Sequence, residues 1–417
     1  MPRQVVTVGT GVAILGLTSF VYLAIVGRVL GPADVVPLTT LWVLINAIGP
    51  ALFFPLEQEV GRAVAAREAV GLGARPVFLR AAGIGLGLLL LLAAVCAAAG
   101  APLSRWLFDG EVLVLASFFV GSVGLCAQHL TRGAFAGTGN FLRYGVQLGA
   151  DGVLRLAGAL ALGLAASTQV GWYAVLLGLS PLVAVLLTAP RPGRLLRDGP
   201  PASWQDVGSA LGLLIAGSAF AQFVVNAAPI AANLLATADE RARVGVFISA
   251  LVLVRIPLFV FAAVQAALLP GLARLAAVDD GVGYRRRLRS ILLLVGGLGL
   301  VGLLVVAGIG PWLVQFVYGA EFRSNRADLI PLAGATAAYM LALVLSQALI
   351  SLRSYRASLA GWAVASLAFV LALLVPAELE LRVGTAFLTG AAAGVVFLAV
   401  AMANRLRQPL NGRVGTR

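Results

Sequence analysis

Residues 285 to 309 read RRRLRSILLLVGGLGLVGLLVVAGI, four arginines within five positions followed by twenty residues without a charged side chain. As a helix that run rises about 1.5 Å per residue and spans the roughly 30 Å hydrocarbon core of a bilayer. The arginines hold one end in the polar layer, so the stretch reads as a membrane helix with its charged end in the cytoplasm. The pattern recurs along the chain. Spans are expected at 5 to 27, 36 to 56, 77 to 99, 112 to 131, 146 to 166, 171 to 189, 208 to 232, 244 to 269, 290 to 309, 328 to 350, 357 to 376 and 383 to 403. With 60% hydrophobic and 11% charged residues over 417 positions, the chain is an all-α polytopic membrane protein of about twelve transmembrane helices.

The first span follows Arg3, has no small-residue cleavage site and is too long for a signal peptide, so it is expected to be retained as an anchor. All thirty basic residues are arginines, and His129 is the one histidine. Without lysine there is no Walker A phosphate lysine, Schiff base or cofactor aldimine, and His129 with Cys96 and Cys126 cannot build an ordinary zinc site. Both cysteines lie in apolar runs and read as small core residues, not a disulfide. No cofactor is expected.

The formal charge of +13 needs no nucleic acid, because topology accounts for it. With both termini in the cytoplasm, 21 arginines fall inside, among them Arg62, Arg67, Arg75, Arg80, Arg132, Arg191, Arg194 and the Arg285, Arg286, Arg287 and Arg289 cluster. Seven fall outside: Arg28, Arg105, Arg241, Arg243, Arg323, Arg326 and Arg382. This bias places a multi-pass protein in the cytoplasmic membrane. Arg155 and Arg255 are left within spans. The inner cluster anchors topology, and it can also gather anionic lipid.

The longest loop, PRPGRLLRDGPPASWQDV at 190 to 207, is rich in proline, glycine and arginine. It divides the chain into an N-terminal six-helix lobe (1–189), a cytoplasmic linker (190–207), a C-terminal six-helix lobe (208–404) and a cytoplasmic tail (405–417). The halves echo each other: WLFDGE at 106 to 111 follows the third span, and VYGAEF at 317 to 322 follows the ninth. Repeats with an even number of spans share orientation and are related by an axis along the membrane normal.

Several short stretches carry a resemblance. They are RVLGP at 28 to 32, Arg132-Gly133 with GTGNF at 137 to 141, LRL at 154 to 156, and YGAEF at 318 to 322. With them the chain resembles, over nearly its whole length, the Wzx-like polysaccharide biosynthesis flippases. These belong to the superfamily that also holds the multidrug and toxin extruders and the lipid II flippases. The resemblance implies two six-helix lobes in a V around a central cavity. It also implies alternating access that carries an undecaprenyl-diphosphate-linked sugar to the outer leaflet. Twelve spans, not fourteen, depart from the lipid II flippases, and the first span lacks the acid of a typical proton-coupled drug extruder.

Ionisable groups inside a bilayer are costly and usually mark a pathway or site. Arg155 lies about 14 Å into the fifth span and Arg255 about 16 Å into the eighth, near the midplane, one in each half. Asp151 sits four residues before Arg155, on the same helix face, and the two form either a packing pair or part of a site. Arg255 has no local partner, stands beside Pro257, and could be matched by the oxygens of a diphosphate. Arg28 beside Gly31-Pro32 either snorkels to the interface or meets substrate. Asn46, also at mid-depth, bonds a neighbouring helix or lines the site. Gln222 and Asn226 share a face of the seventh span, where they join helices or line an outer cavity. His129 reads as a satisfied interfacial histidine, with titration as a coupling group the alternative. Glu57, Gln58 and Glu59 read as the solvated end of the second span, with Arg62 close enough to pair, and a cytoplasmic gate as the alternative.

The outer acids, including Asp109, Glu111, Glu321 and Asp328, are scattered over short loops, so a membrane-bound polymerase or glycosyltransferase is not expected. The expected function is therefore transport of a lipid-linked anionic oligosaccharide, with membrane lipids and polysaccharide-assembly glycosyltransferases or a polymerase as partners. Proton or sodium coupling is open, and Asp151 is the one acid read as lying well inside a span. The alternative is a multidrug or toxin extruder driven by an ion gradient.

Overall fold

A computed structural model of the protein describes residues 2–189, 196–319 and 321–409. Arg191 and Arg194 of the linker, Ala320 of the second loop motif and the tail beyond residue 409 lie outside the described residues.

Every regular element among these residues is helical. In the first half they are α1 (Pro2–Asp34), α2 (Val36–Ile48), a π-helical turn (Gly49–Phe53), α3 (Phe54–Ala69), α4 (Arg75–Phe108), α5 (Val112–Thr138), α6 (Phe141–Leu164) and α7 (Val170–Thr188). Then follow α8 (Trp204–Leu235), α9 (Arg241–Val254), α10 (Ile256–Ala277), α11 (Gly281–Tyr318), α12 (Arg326–Ser351), α13 (Tyr355–Ala372) and α14 (Leu379–Arg405). Two pairs join into single spans: α2 continues through the π turn into α3, and α9 continues into α10 across a break at Arg255. Eleven spans are apolar and long enough to cross a membrane by hydropathy, and α6, 24 residues long, is the twelfth. Gln147, Asp151 and Arg155 lower the hydropathy of α6, and all three are buried where lipid does not meet them.

Two compact units result, residues 1–215 and 216–417, so the division falls inside α8. In the first, α5 is the central helix, packed on α7, α3 and α4. In the second, α12 takes the same place, packed on α14, α11 and α10. These are the fourth span of each half, and the loop motifs match as well. Helix α4 ends at Asp109 and α11 at Gly319, both with positive φ (52° and 110°).

Small residues let α1 lie directly on α6. A Cβ on Gly145 would sit 2.5 Å from the Thr7 carbonyl oxygen, and one on Gly11 would strike the backbone of Gly145. Small-residue seams of this kind are the ordinary way for membrane helices to approach closely. At the start of α4, the described part of the linker lies against the α3–α4 loop. Arg67 donates to the Pro200 carbonyl (2.8 Å), Arg75 pairs with Asp198 (2.9 Å), and the Arg80 guanidinium stacks 4.2 Å from the centre of the Trp204 ring.

Overpacking a tight seam costs about 1–3 kcal/mol. Gly145→Leu is therefore expected to lower the melting temperature of the purified protein in detergent. Gly16→Leu, whose Cβ meets nothing within 4 Å, is expected to leave it near wild type. Equal melting of the two variants would remove the seam as a determinant.

Candidate functional site

In the first unit the mid-span charges are closed by one another. Asp151 and Arg155 stand one turn apart on α6, both buried, and meet face to face. Arg155 Nε donates to Asp151 Oδ1 at 2.9 Å and Nη2 to Oδ2 at 2.7 Å. Ser180 on α7 donates to Oδ1 (2.7 Å) and accepts from Arg155 Nε (2.8 Å), while Gln128 on α5 donates to Oδ2 (3.2 Å). The Trp42 ring stands 5.9 Å from the guanidinium carbon. A bidentate fork whose remaining lone pairs are met by neutral donors is the arrangement that makes a buried ion pair tolerable.

A second buried cluster joins α3, α5 and α6. Glu57 accepts from the Tyr144 hydroxyl at Oε1 (2.6 Å), and its Oε2 lies 2.8 Å from His129 Nδ1. Arg132 places Nε 3.2 Å from that same Oε2, a charge contact without a directed hydrogen bond, and its Nη2 3.0 Å from His129 Nδ1. The histidine nitrogen can donate to the carboxylate or accept from the guanidinium, one at a time. Glu59 and Arg62, also on α3, form a bidentate pair, with Nε to Oε2 at 2.9 Å.

These contacts correct three readings of the sequence. Glu57 and Glu59 do not end a solvated helix: at 7% and 2% exposure they lie within a 34-residue span that continues to Ala69. Arg132 is not a loop arginine but a buried member of the cluster. Asp151 is accordingly not alone among acids inside a span. The run Val60, Ala63, Val64, Ala65 after Glu59 was the available signal that the helix continued among apolar neighbours. Tyr144, Gln128 and Ser180 carried no comparable signal, because their roles come from neighbouring helices.

The π turn lies beside this cluster. Pro50 removes a backbone donor inside the span, and a Cβ on Gly49 would lie 3.8 Å from His129 Nε2. Such single π turns are frequent at functional positions in helices.

The second unit treats its mid-span arginine differently. Arg255 caps α9, with Pro257 in the first turn of α10, and its backbone N–H reaches the Leu251 and Val252 carbonyls at 3.2 and 3.3 Å. Its Nη2 donates to the Val225 carbonyl of α8, its buried Nε has no hydrogen-bond partner, and no acid pairs with it among the described residues. On α8, Asn226 Nδ2 donates to Gln222, at 2.9 Å to the carbonyl and 3.2 Å to the side-chain oxygen. The pair stabilises its own face and remains partly accessible.

The other candidates are placed as follows. Asn46 is exposed and donates to the Trp42 carbonyl one turn earlier (2.8 Å), and Arg28 is exposed near the Gly31 break in α1. In the arginine cluster, the guanidinium of Arg287 lies on Gly271 of α10, where a side chain would clash with it, and its Nε is also unpartnered. Arg285 donates to the Leu406 carbonyl (3.0 Å). Cys96 and Cys126 are free.

No family model matches the chain. It is 32% identical to the uncharacterized protein Rv1510 of Mycobacterium tuberculosis over 332 residues, covering 76% of this chain and 73% of that one. It is 29% identical to the uncharacterized protein Rv3630 of the same organism over 417 residues, covering 96% and 92%. Among solved structures it resembles a point mutant of the Vibrio cholerae MATE transporter VcmN, with a TM-score of 0.76, 18% identity and coverage of 98% and 97%. It also resembles a MOP superfamily transporter from Pyrococcus furiosus, described as having a binding pocket of reverse polarity that suggests a different function. That match has a TM-score of 0.76, 16% identity and coverage of 97% and 96%. The fold is thus that of MATE-like transporters.

Breaking a buried pair by removing one partner costs about 3–5 kcal/mol, whereas replacing both by apolar groups is often neutral. Asp151→Leu is therefore expected to lower thermal stability in detergent sharply, and Asp151→Leu with Arg155→Met to restore most of the loss. If the double variant melts no higher than the single one, the uncompensated guanidinium is not the cause.

Proposed function

The chain belongs to the family of the Mycobacterium tuberculosis protein Rv1510, and from that premise we propose that it is an alternating-access flippase. Its substrate in this reading is a polyprenyl-diphosphate-linked oligosaccharide, carried across the cytoplasmic membrane for cell-surface polysaccharide assembly.

The observation that carries the reading is Arg255. A guanidinium at mid-span costs about 2.5–3.5 kcal/mol on insertion scales. In the first unit the corresponding expense is offset by Asp151. In the second, no acid offsets it among the described residues, and a buried Nε points at no acceptor. A diphosphate supplies acceptors that match the guanidinium fork and keep their negative charge. Arg255 lies at the break between α9 and α10, where Pro257 interrupts the helix, and interrupted membrane helices are where transporters commonly form binding sites. The arginine cluster at 285 to 289 would gather the anionic carrier at the inner leaflet. Sugar-transferring enzymes or a polymerase would then stand on either side of this step.

A second reading is the ion-coupled extruder of amphipathic drugs. It is favoured by the likeness to MATE transporters and by the buried acids Asp151, Glu57 and Glu59 of the first unit. The two differ in the sign of the group that substrate needs.

Deletion of the gene is expected to accumulate lipid-linked sugar intermediates in solvent extracts. Wild-type protein should clear them, and Arg255→Ala should fail to do so despite normal membrane insertion. A deletion strain with no such intermediates and with new sensitivity to cationic dyes would instead support the extruder.

A further inference from the structure

Helix α8 carries Pro229 inside it, and a proline within a helix leaves one carbonyl without its main-chain donor. An N–H at 229 would ordinarily meet the carbonyl of residue 225, one turn earlier. Val225 is the residue whose carbonyl accepts from Arg255 Nη2. Water does not reach the bilayer core, so backbone groups freed there are met by side chains or neighbouring helices. Here the side chain that meets the freed carbonyl is the mid-span arginine.

The acceptor is itself held in place. One turn before it, the Tyr339 hydroxyl of α12 donates to the Ala221 carbonyl (3.3 Å), and the Ser366 hydroxyl of α13 donates to the Phe220 carbonyl (3.5 Å). At its other end Arg255 is tied by its own N–H to the Leu251 and Val252 carbonyls, at the break before Pro257. A guanidinium anchored both at its backbone and at a terminal nitrogen keeps few rotamers. The neutral carbonyl engages one N–H and leaves the charge and most of the fork unspent, with Nε lacking any partner. A cation fixed in this way pays less ordering cost when an anion arrives.

We propose that Pro229 is a positioning residue for the anion site: by leaving the Val225 carbonyl open, it holds the Arg255 guanidinium in place for the negatively charged group of the substrate. The assignment rests on the flippase reading above and adds the element that orients its arginine. Proline does this through what it lacks. Any other residue at 229 carries the N–H that returns the carbonyl to the helix and leaves Arg255 without its anchor.

The test titrates purified full-length protein in detergent with inorganic diphosphate and records melting for each variant. Wild type is expected to bind and Arg255→Ala to lose binding. Pro229→Ala should bind about tenfold more weakly, because the restored N–H takes the carbonyl and releases the guanidinium. Pro229→Ser supplies the same N–H and should behave alike. Asn233→Ala, which removes a contact to the Pro229 carbonyl (3.0 Å) on the same helix, should bind as wild type. Without ligand, Arg255→Ala is expected to lower the melting temperature by about 3 °C through the bare carbonyl, and by much less in the Pro229→Ala background. Equal losses in the two backgrounds would show that the proline does not free the acceptor and would overturn the assignment. Diphosphate binding that is unchanged or tighter in both proline variants would reduce the Arg255–Val225 bond to packing, and this role alone falls. If wild type itself binds no diphosphate, the anion reading of Arg255 falls together with it.

Discussion

An arginine cannot shed its charge inside a membrane, and the first unit is assembled around that constraint. Arg155, Arg132 and Arg62 are all buried, and each faces a carboxylate: Asp151, Glu57 and Glu59. Neutral partners complete the sets. Ser180 and Gln128 bring α7 and α5 to the Asp151 carboxylate on α6, and Tyr144 and His129 bring α6 and α5 to Glu57 on α3. Four helices are therefore linked through two carboxylates. Their mutual positions follow from satisfying these groups as well as from apolar contact, which between membrane helices supplies little preference over lipid.

The second unit keeps the scaffold and omits the closure. Helix α12 occupies the central place that α5 holds in the first unit, and the loops after α4 and α11 end in the same way. Yet its internal polar ladder is made of neutral groups. Tyr284 reaches the Ala348 carbonyl (2.9 Å), Trp362 donates to Ser346 (3.1 Å), and Ser346 meets Ser358 (2.7 Å). Against that neutral background two arginines, Arg255 and Arg287, each keep a buried Nε without a partner. The first unit thus neutralises its buried mid-span arginines with carboxylates, whereas Arg255 of the second has no acid beside it among the described residues.

Much of this was legible in the sequence. The twelve spans follow from hydropathy and arginine spacing, because length and charge exclusion are properties of single segments. The Asp151–Arg155 pair follows from a spacing of four on one helix. Its other partners do not, since Ser180 and Gln128 meet it across helices and nothing in their local sequence marks the contact. The depth of Glu57 was misread for a related reason. Three polar residues in succession look like a helix end, but the span continues through the π turn at Gly49–Phe53 into α3, which buries Glu57 against His129 and Arg132 of α5 and Glu59 beside Arg62. For Arg255, both the break and the missing acidic partner could be anticipated, because Pro257 is adjacent and no carboxylate occurs within a helical turn.

For the transport proposed above, the closure of the first unit also constrains how energy could enter. A cation approaching Asp151 meets a carboxylate already engaged by a bidentate guanidinium, a hydroxyl and an amide. It would have to displace Arg155, leaving a second uncompensated guanidinium at mid-depth, and each such charge is expensive. Glu57 differs, because its partner Arg132 also contacts His129, and the histidine nitrogen can exchange the carboxylate for the guanidinium without leaving either group isolated. Rearrangement of charge inside the first unit is therefore cheaper at the α3–α5 cluster, beside the π turn, than at the pair on α6.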